Sequence, residues 1–321
     1  MSTKSEKRIF IAGATGVMGR RVVPCLVQAG YKVSAVGRSP KARQLLADAG
    51  AIPVEVNLFD PVAVRQTLAG QEVVINLTTS IPSTARMFLP GAWRMNDQVR
   101  RLVSANLVAA ALTNGTARYI QESFAPIYPD YGERWIDENT PVGPVKYNRT
   151  VLDAEAAAAR FSQGGGAAVI LRFAFFYGPD SAVTRQTISS VRHGFAPVFG
   201  APQAYFASIS HDDAASAVVA ALELPGGVYN VAEDDPFTRR EYVDTLAREL
   251  GARPPGLLPG WVAKMTGSMG EMLQRSLRIS NRKLKIASNW APRYPNMVTG
   301  WPAVLAALKQ GSQTPLAESP C

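Results

Sequence analysis

Three glycines at intervals of three, Gly13, Gly16 and Gly19, stand directly after the apolar run at residues 8–12. Missing side chains at such spacing permit a tight turn, close approach of backbone to a phosphate, and close packing of the helix that follows. That helix, opening around Thr15, Val17 and Met18, would turn its free N–H groups and the positive end of its dipole toward a pyrophosphate. A nucleoside triphosphate fits less well, because no Gly-Lys-Ser/Thr follows to reach the terminal phosphates. The chemistry expected of these residues is dinucleotide binding; the alternative is a glycine-rich packing turn.

The second position that could discriminate among ligands lies about twenty residues further on, where an acidic side chain accepts from the ribose hydroxyls of NAD and a basic one pairs with a 2′-phosphate. Here Arg38 and Ser39 occupy it, with Arg43 close behind. The expected cofactor is therefore NADP(H) rather than NAD(H), against the alternative of a solvated arginine.

These residues need a strand, a helix and a second strand to position them, and the hydrophobic pattern supplies that unit repeatedly. Strands are predicted at 8–12, 32–37, 52–56, 73–77, 118–121 and 168–173, with helices between them, one running the length of 93–113. Pro24 falls inside the first helix and is expected to bend it. Asn57 and Leu58 end the third strand and Leu77 and Thr78 the fourth, at the carboxyl edge where ligands of doubly wound sheets lie. Residues 122–146, rich in proline, aromatics and charge, read as one long functional loop. Helices are expected to begin at Tyr147 and to occupy 183–193 and 212–222, then a short strand and a helix capped by Thr238 and closed by Gly251, a linker at 254–260 and an amphipathic helix at 261–273. The fold class predicted is α/β: a Rossmann-like doubly wound parallel sheet with a smaller, mixed C-terminal substrate-binding region. Residues 1–173, with 207–232 returning to them, form the dinucleotide-binding domain; 174–206 and 233–310 form the substrate-binding region, and 311–321 a disordered tail.

Composition narrows the partners. The 321 residues are 47% hydrophobic, enough for a full core, and 34 Lys and Arg outnumber 25 Asp and Glu to give a net charge of +9. An anionic small ligand accounts for that bias, because no dense basic run with interleaved aromatics marks a nucleic-acid surface. Two cysteines, Cys25 and Cys321, build neither a disulfide framework nor a thiolate metal site. The two histidines, His193 and His211, lack metal-ligand spacing and read as surface or loop residues. No run reaches the ~18 apolar residues of a membrane helix and the N-terminus lacks an apolar leader, so a cytoplasmic protein is expected.

With these motifs in view, the segments LRFAFFYGPDS and ISHDDAASAVVAALE make the chain resemble the extended short-chain dehydrogenase/reductase superfamily, the NAD(P)-dependent epimerase/dehydratase group, over residues 8–301. Tyr177, Gly178 and Pro179 match its YGP, and Asp213, Ala214 and Ala215 its D-x-A. The resemblance implies a Tyr-x-x-x-Lys pair for proton transfer and a Ser or Thr at the end of strand five. Tyr147 matches the tyrosine, but Val151 stands in place of the lysine, whose cation would lower the tyrosine pKa and bind the nicotinamide ribose. Phe124 fills the place of the family's usual serine and Ser123 matches the one before it; Tyr128 is expected to line the same site. Asp137 and Glu138 offer loop carboxylates, with solvated charges as the alternative.

The resemblance also bears on the substrate. Phe175 replaces an asparagine of the sugar-nucleotide members, and Phe206 replaces an arginine that holds their diphosphate. With Trp93, Tyr131 and Trp135 nearby, an apolar cavity is expected; the alternative is that these aromatics are core. The function implied is an NADP(H)-dependent oxidoreductase acting on a carbonyl or conjugated double bond of a fairly apolar metabolite. The alternatives are an epimerase or dehydratase that uses the cofactor transiently, and a non-catalytic NADPH sensor. The expected partner is a small-molecule substrate, without nucleic acid, membrane or metal, in a monomer or a homodimer.

Overall fold

The computed structural model describes residues 7–83, 86–87, 89, 91–258 and 265–311. Seven strands, β1 (Arg8–Ala12), β2 (Lys32–Val36), β3 (Ile52–Val54), β4 (Val73–Asn76), β5 (Arg118–Phe124), β6 (Ala167–Phe173) and β7 (Gly227–Val231), form one sheet in the order β7-β6-β5-β4-β1-β2-β3. Every pairing is parallel. The chain leaves β1 first toward β2 and later returns to its other side at β4, which opens a crevice at the carboxyl ends of those strands.

Helices cover both faces, so the strands are runs of Val, Ile and Phe buried on both sides. Alternation along β1 sends Ile9 and Ile11 into the core under helix α1 (Gly19–Gln28), and Phe10 and Ala12 into the core under α3 (Pro61–Thr67), α5 (Ser104–Thr113) and α6 (Val151–Gln163). Full burial of each large aliphatic or aromatic side chain contributes ~1.5 to 3 kcal/mol, which holds the layers together. A third core, around Tyr177, Val243, Tyr242 and Trp301, builds the smaller lobe from the helices Ala182–Arg192, Arg239–Glu249 and Met297–Lys309.

Several local expectations are corrected. The sheet, expected to be complete with six strands, has a seventh, β7, formed by the short strand that the sequence places ahead of the helix at 238–251. Residues 122–146 are not one irregular loop: β5 continues to Phe124, a 3-10 turn follows at Ala125–Ile127, and Trp135–Ile136 pairs with Arg278–Ile279. Tyr147 does not begin a helix. It lies in a run of turns, and α6 starts at Val151. Pro24 lies buried inside α1, as its place in the sequence indicated, and the helix continues past it to Gln28. The helix predicted at 93–113 is present as a continuous helical run, α4 (Arg94–Gln98), a π-turn (Val99–Val103) and α5, the π-turn being the feature not expected. A helix occupies Gly267–Gln274 rather than 261–273, of which 261–264 lie outside the described residues, as do Cys321 and the tail after Gly311. Within the predicted linker, Gly256–Leu257 pairs with Phe195–Ala196.

Candidate functional site

The turn between β1 and α1 shows why its glycines are required. Gly13 has φ +83°, and a Cβ there would lie 2.5 Å from the Leu77 carbonyl oxygen at the end of β4. A Cβ on Gly19 would lie 2.4 Å from the Gly13 oxygen, so this glycine lets α1 close on the strand. Gly16 meets only the Gly13 oxygen, at 3.3 Å, and leaves its outer side open. The backbone N–H groups of Val17 and Met18 donate no hydrogen bond among the described residues, which suits an anion at the helix start.

In front of this turn is a cleft of about 580 Å³. Gly13, Thr15, Gly16, Arg38, Asn57, Leu58, Leu77 and Thr78 line it, as their sequence positions suggested, together with Glu55, Met95, Val99 and Val103, which they did not. The last three come from the α4 and π-turn helix; only their stripe of apolar residues spaced by four marked them in advance. Val17, Met18, Gly19 and Ser39 do not line the cleft. Met18 belongs to the core, and the Ser39 side chain caps helix α2 (Pro40–Asp48) by accepting from the Ala42 N–H at 3.2 Å. The rim at β4 is fixed by Asn76, which accepts from the Thr78 N–H at 3.1 Å and hydroxyl at 2.5 Å and donates to Ser104, Tyr119 and Gln121.

Arg38 is exposed at the mouth of the cleft and makes no ion pair among the described residues. Arg43 is committed elsewhere: its guanidinium meets Glu55 at 2.7 Å, so it neutralises the nearby carboxylate rather than doubling the charge of Arg38.

At the end of β5, Ser123 and Tyr128 have duties other than those expected. The Ser123 hydroxyl donates to Glu155 Oε1 at 2.5 Å. Arg172 donates to both oxygens of Glu155, at 2.8 and 2.7 Å, and to the Tyr128 hydroxyl at 2.8 Å, which in turn donates to Asn230 at 2.9 Å. Burial works against the Arg172 charge, but its hydrogen bonds to the Glu155 carboxylate override it and the guanidinium holds its proton more tightly than usual. Tyr128 is fully buried, and burial raises its pKa. The network ties α6 to β5, β6 and β7; it occupies both side chains, and neither is presented to the cleft.

Tyr147 lies among apolar side chains. Its ring meets Trp93 edge-on at 4.6 Å, within a cluster that includes Phe124, Phe175, Met269 and Met272. Phe175 stacks on Phe206, with ring centroids 4.8 Å apart and planes 8° from parallel, and meets Phe124 at 5.6 Å. Sequence reasoning thus brought Trp93, Phe175 and Phe206 to one region with Tyr147. Burial pushes the Tyr147 pKa up, Arg100 pulls it down and Asp97 pushes it up, with the upward shift prevailing. Val151 is buried at 1% exposure, so the family's lysine position faces the interior.

The remaining candidates lie apart. Trp135 is half-exposed and stacks under Arg278, whose guanidinium carbon is 4.3 Å from the ring, on the paired strands Trp135–Ile136 and Arg278–Ile279. Tyr131 lies under Arg134. Asp137 closes a local turn by accepting from the Asn139 and Thr140 N–H groups. Glu138 accepts from the Asn230 N–H at 2.7 Å, and burial raises its pKa. His211 is no surface residue. It is buried with Nδ1 2.8 Å from Asp180, the carboxylate that also grips Arg21 of α1 at 2.9 Å, so the YGPD turn is fastened to the helix behind the glycines.

This geometry has relatives. Residues 9–232 match the model of the NAD dependent epimerase/dehydratase family. The chain belongs to that family. Among curated relatives it is 29% identical to 3-diazoavenalumate denitrifying reductase of Streptomyces sp, over 91% of this chain and 98% of the relative. It is 27% identical to 4-hydroxy-2-methyl-3-oxo-4-farnesyl-3,4-dihydroquinoline-1-oxide ketoreductase of Stigmatella aurantiaca, over 84% and 81%. Among solved structures, a human epimerase family protein with NADPH superposes with a TM-score of 0.77 at 20% identity, covering 93% of this chain and 99% of that one. UDP-glucose 4-epimerase of Thermus thermophilus with NAD gives 0.75 at 20% identity, over 95% and 100%. The family and the reductases among its relatives support an oxidoreductase that works with a nicotinamide cofactor. No helix among the described residues is long and apolar enough to cross a membrane.

Proposed function

We propose that this chain is an NADP(H)-dependent oxidoreductase that exchanges hydride with a carbonyl or conjugated double bond of a fairly apolar small metabolite. The observation that carries the reading is the packed aromatic cluster of Trp93, Phe124, Tyr147, Phe175 and Phe206. The names of the two reductases agree with it, since each includes a substrate with substantial apolar structure. For the cofactor, the glycine turn, the unspent N–H groups of Val17 and Met18, and unpaired Arg38 at the cleft mouth fit a dinucleotide with a 2′-phosphate. When bound, the cofactor supplies the hydride. The protein's share is to exclude water with the aromatic rings, hold the substrate carbonyl near Tyr147, and pass the phenol proton to the carbonyl oxygen.

A specific observation favours a second reading. Ser123 is bonded to Glu155, and the Tyr147 hydroxyl makes no hydrogen bond among the described residues, as in a protein that binds NADPH without turnover. Benzil, an apolar aromatic diketone, separates the two. The oxidoreductase consumes NADPH and benzil one for one, measured by nicotinamide absorbance and alcohol formation; binding of both without consumption supports the sensor instead.

A further inference from the structure

The helix that carries the π-turn presents three adjacent stripes, each with residues four apart. Met95, Val99 and Val103 form the first and line the cleft. Trp93, Asp97 and Arg101 form the last and face the segment that opens α6: Trp93 touches the Tyr147 ring at 4.6 Å, Asp97 accepts from the Thr150 hydroxyl at 2.8 Å, and Arg101 donates to Asp153 at 2.8 Å. Between them lie Asn96 and Arg100. Asn96 is 1% exposed and accepts from the Ser80 N–H, beyond β4, at 2.9 Å. Arg100 is half-buried one turn later and makes no hydrogen bond or ion pair among the described residues.

The π-turn keeps this order. Four-residue spacing drifts around an α-helix of 3.6 residues per turn, and one wider turn of the i→i+5 kind reverses the drift. Val103 therefore stays on the cleft, and Arg100, which does not itself line it, keeps its place on the stripe between the cleft-lining residues and those that face α6. Met269, Met272, Phe124 and Phe175 share one apolar cluster with Tyr147, while Asp97 and Arg100 are the charged groups that act on it.

We infer that Arg100 is the cation of this site, fixing the bound dinucleotide from the Tyr147 side and stabilising the phenolate once its proton has passed to the carbonyl oxygen. The assignment rests on the oxidoreductase reading and replaces, from a different helix, the charge that Val151 cannot carry. The same charge opposes the burial that raises the proton affinity of Glu122, next to Ser123, so its field covers the end of β5 as well. The step balances as an ordinary reduction: hydride adds to the carbonyl carbon, the carbonyl oxygen takes the Tyr147 proton, and solvent returns that proton to the phenolate.

The test titrates NADPH by its fluorescence into wild type, Arg100→Gln, Arg100→Met, Arg100→Lys and, as the control, Arg101→Gln, each first shown to be folded by its melting transition. The two neutral variants weaken NADPH about tenfold, the scale of one charge-assisted contact, while Arg100→Lys and Arg101→Gln stay within about twofold. With benzil as substrate, the alkaline fall in NADPH consumption moves to higher pH in the neutral variants and returns in Arg100→Lys, which a merely structural role would not do. NADPH affinity within about twofold of wild type in either folded neutral variant overturns the assignment. If wild type binds NADPH but leaves benzil untouched, the oxidoreductase reading has failed for this substrate class, and the affinity comparison still decides whether Arg100 belongs to the cofactor site.

Discussion

Ser123 donates its hydroxyl hydrogen bond to Glu155 Oε1 at 2.5 Å, and Arg172 donates to that same oxygen at 2.8 Å and to Oε2 at 2.7 Å. The hydroxyl that the family resemblance offers for an oxyanion is thus engaged in joining β5 to α6. Ser123→Ala should leave turnover within about threefold of wild type, whereas loss of a true oxyanion donor costs ~100-fold or more. Arg172→Met strands a buried carboxylate and should lower unfolding free energy by ~3 to 5 kcal/mol in urea titrations.

The ion pair of Arg43 with Glu55 leaves cofactor choice to Arg38. NADPH should bind about tenfold tighter than NADH, and Arg38→Ala should remove the preference by weakening NADPH alone. Fluorescence titration of both cofactors checks it; unchanged affinities in the variant would take Arg38 out of the site.

Tyr147→Phe should stop benzil reduction while NADPH affinity stays within about twofold, because the hydroxyl serves proton transfer and the ring serves the aromatic cluster. Val151→Lys, which restores the family pattern, should instead destabilise the protein, since a lysine at a site of 1% exposure loses its hydration. Melting temperatures and stopped-time assays on the two variants separate these effects.

A pH dependence follows from Glu233, buried behind Tyr177 with Ser208 donating to it at 2.9 Å. Burial pushes its pKa up to about 8 from the model-compound 4.5, so the folded protein keeps a proton that the unfolded chain has released. Its contribution to stability is therefore complete below about 4.5, falls as pH rises to about 8 and is level above that. Glu233→Gln should be more stable than wild type at about pH 9 and lose that advantage toward about pH 5, as read from thermal unfolding.

The stack of Phe175 on Phe206 bears on the substrate class. Two rings offer no partner to a diphosphate, whose burial without one costs several kcal/mol on the scale of ~2 to 7 for a single uncompensated polar group. UDP-glucose at about millimolar concentration should neither be converted nor compete with benzil. Conversion by wild type would show that these rings do not define the substrate subsite; gain of affinity only in Phe206→Arg would show that they do.

Local pattern alone determined much of this protein. Three glycines after an apolar strand, a repeated strand and helix alternation, and an arginine at the end of the second strand are short-range signals, and the structure places Gly13, Gly16 and Arg38 around one cleft on a seven-stranded parallel sheet. The family resemblance, rather than spacing or periodicity, joined Tyr147 to Phe175 and Phe206. What the tertiary structure decided is which side chains are already spent. Whether Ser123 faces a substrate or Glu155, whether Tyr128 lines a site or donates to Asn230, and whether Arg43 backs Arg38 or meets Glu55 depend on residues far away in the chain. Trp135 was separated from the other aromatics by a pairing with Arg278–Ile279, a contact across more than a hundred residues that no local pattern encodes. That Val103 still lines the cleft two turns after Met95 depends on a π-turn inside what reads as one long helix, because a single wider turn changes which face every later residue presents.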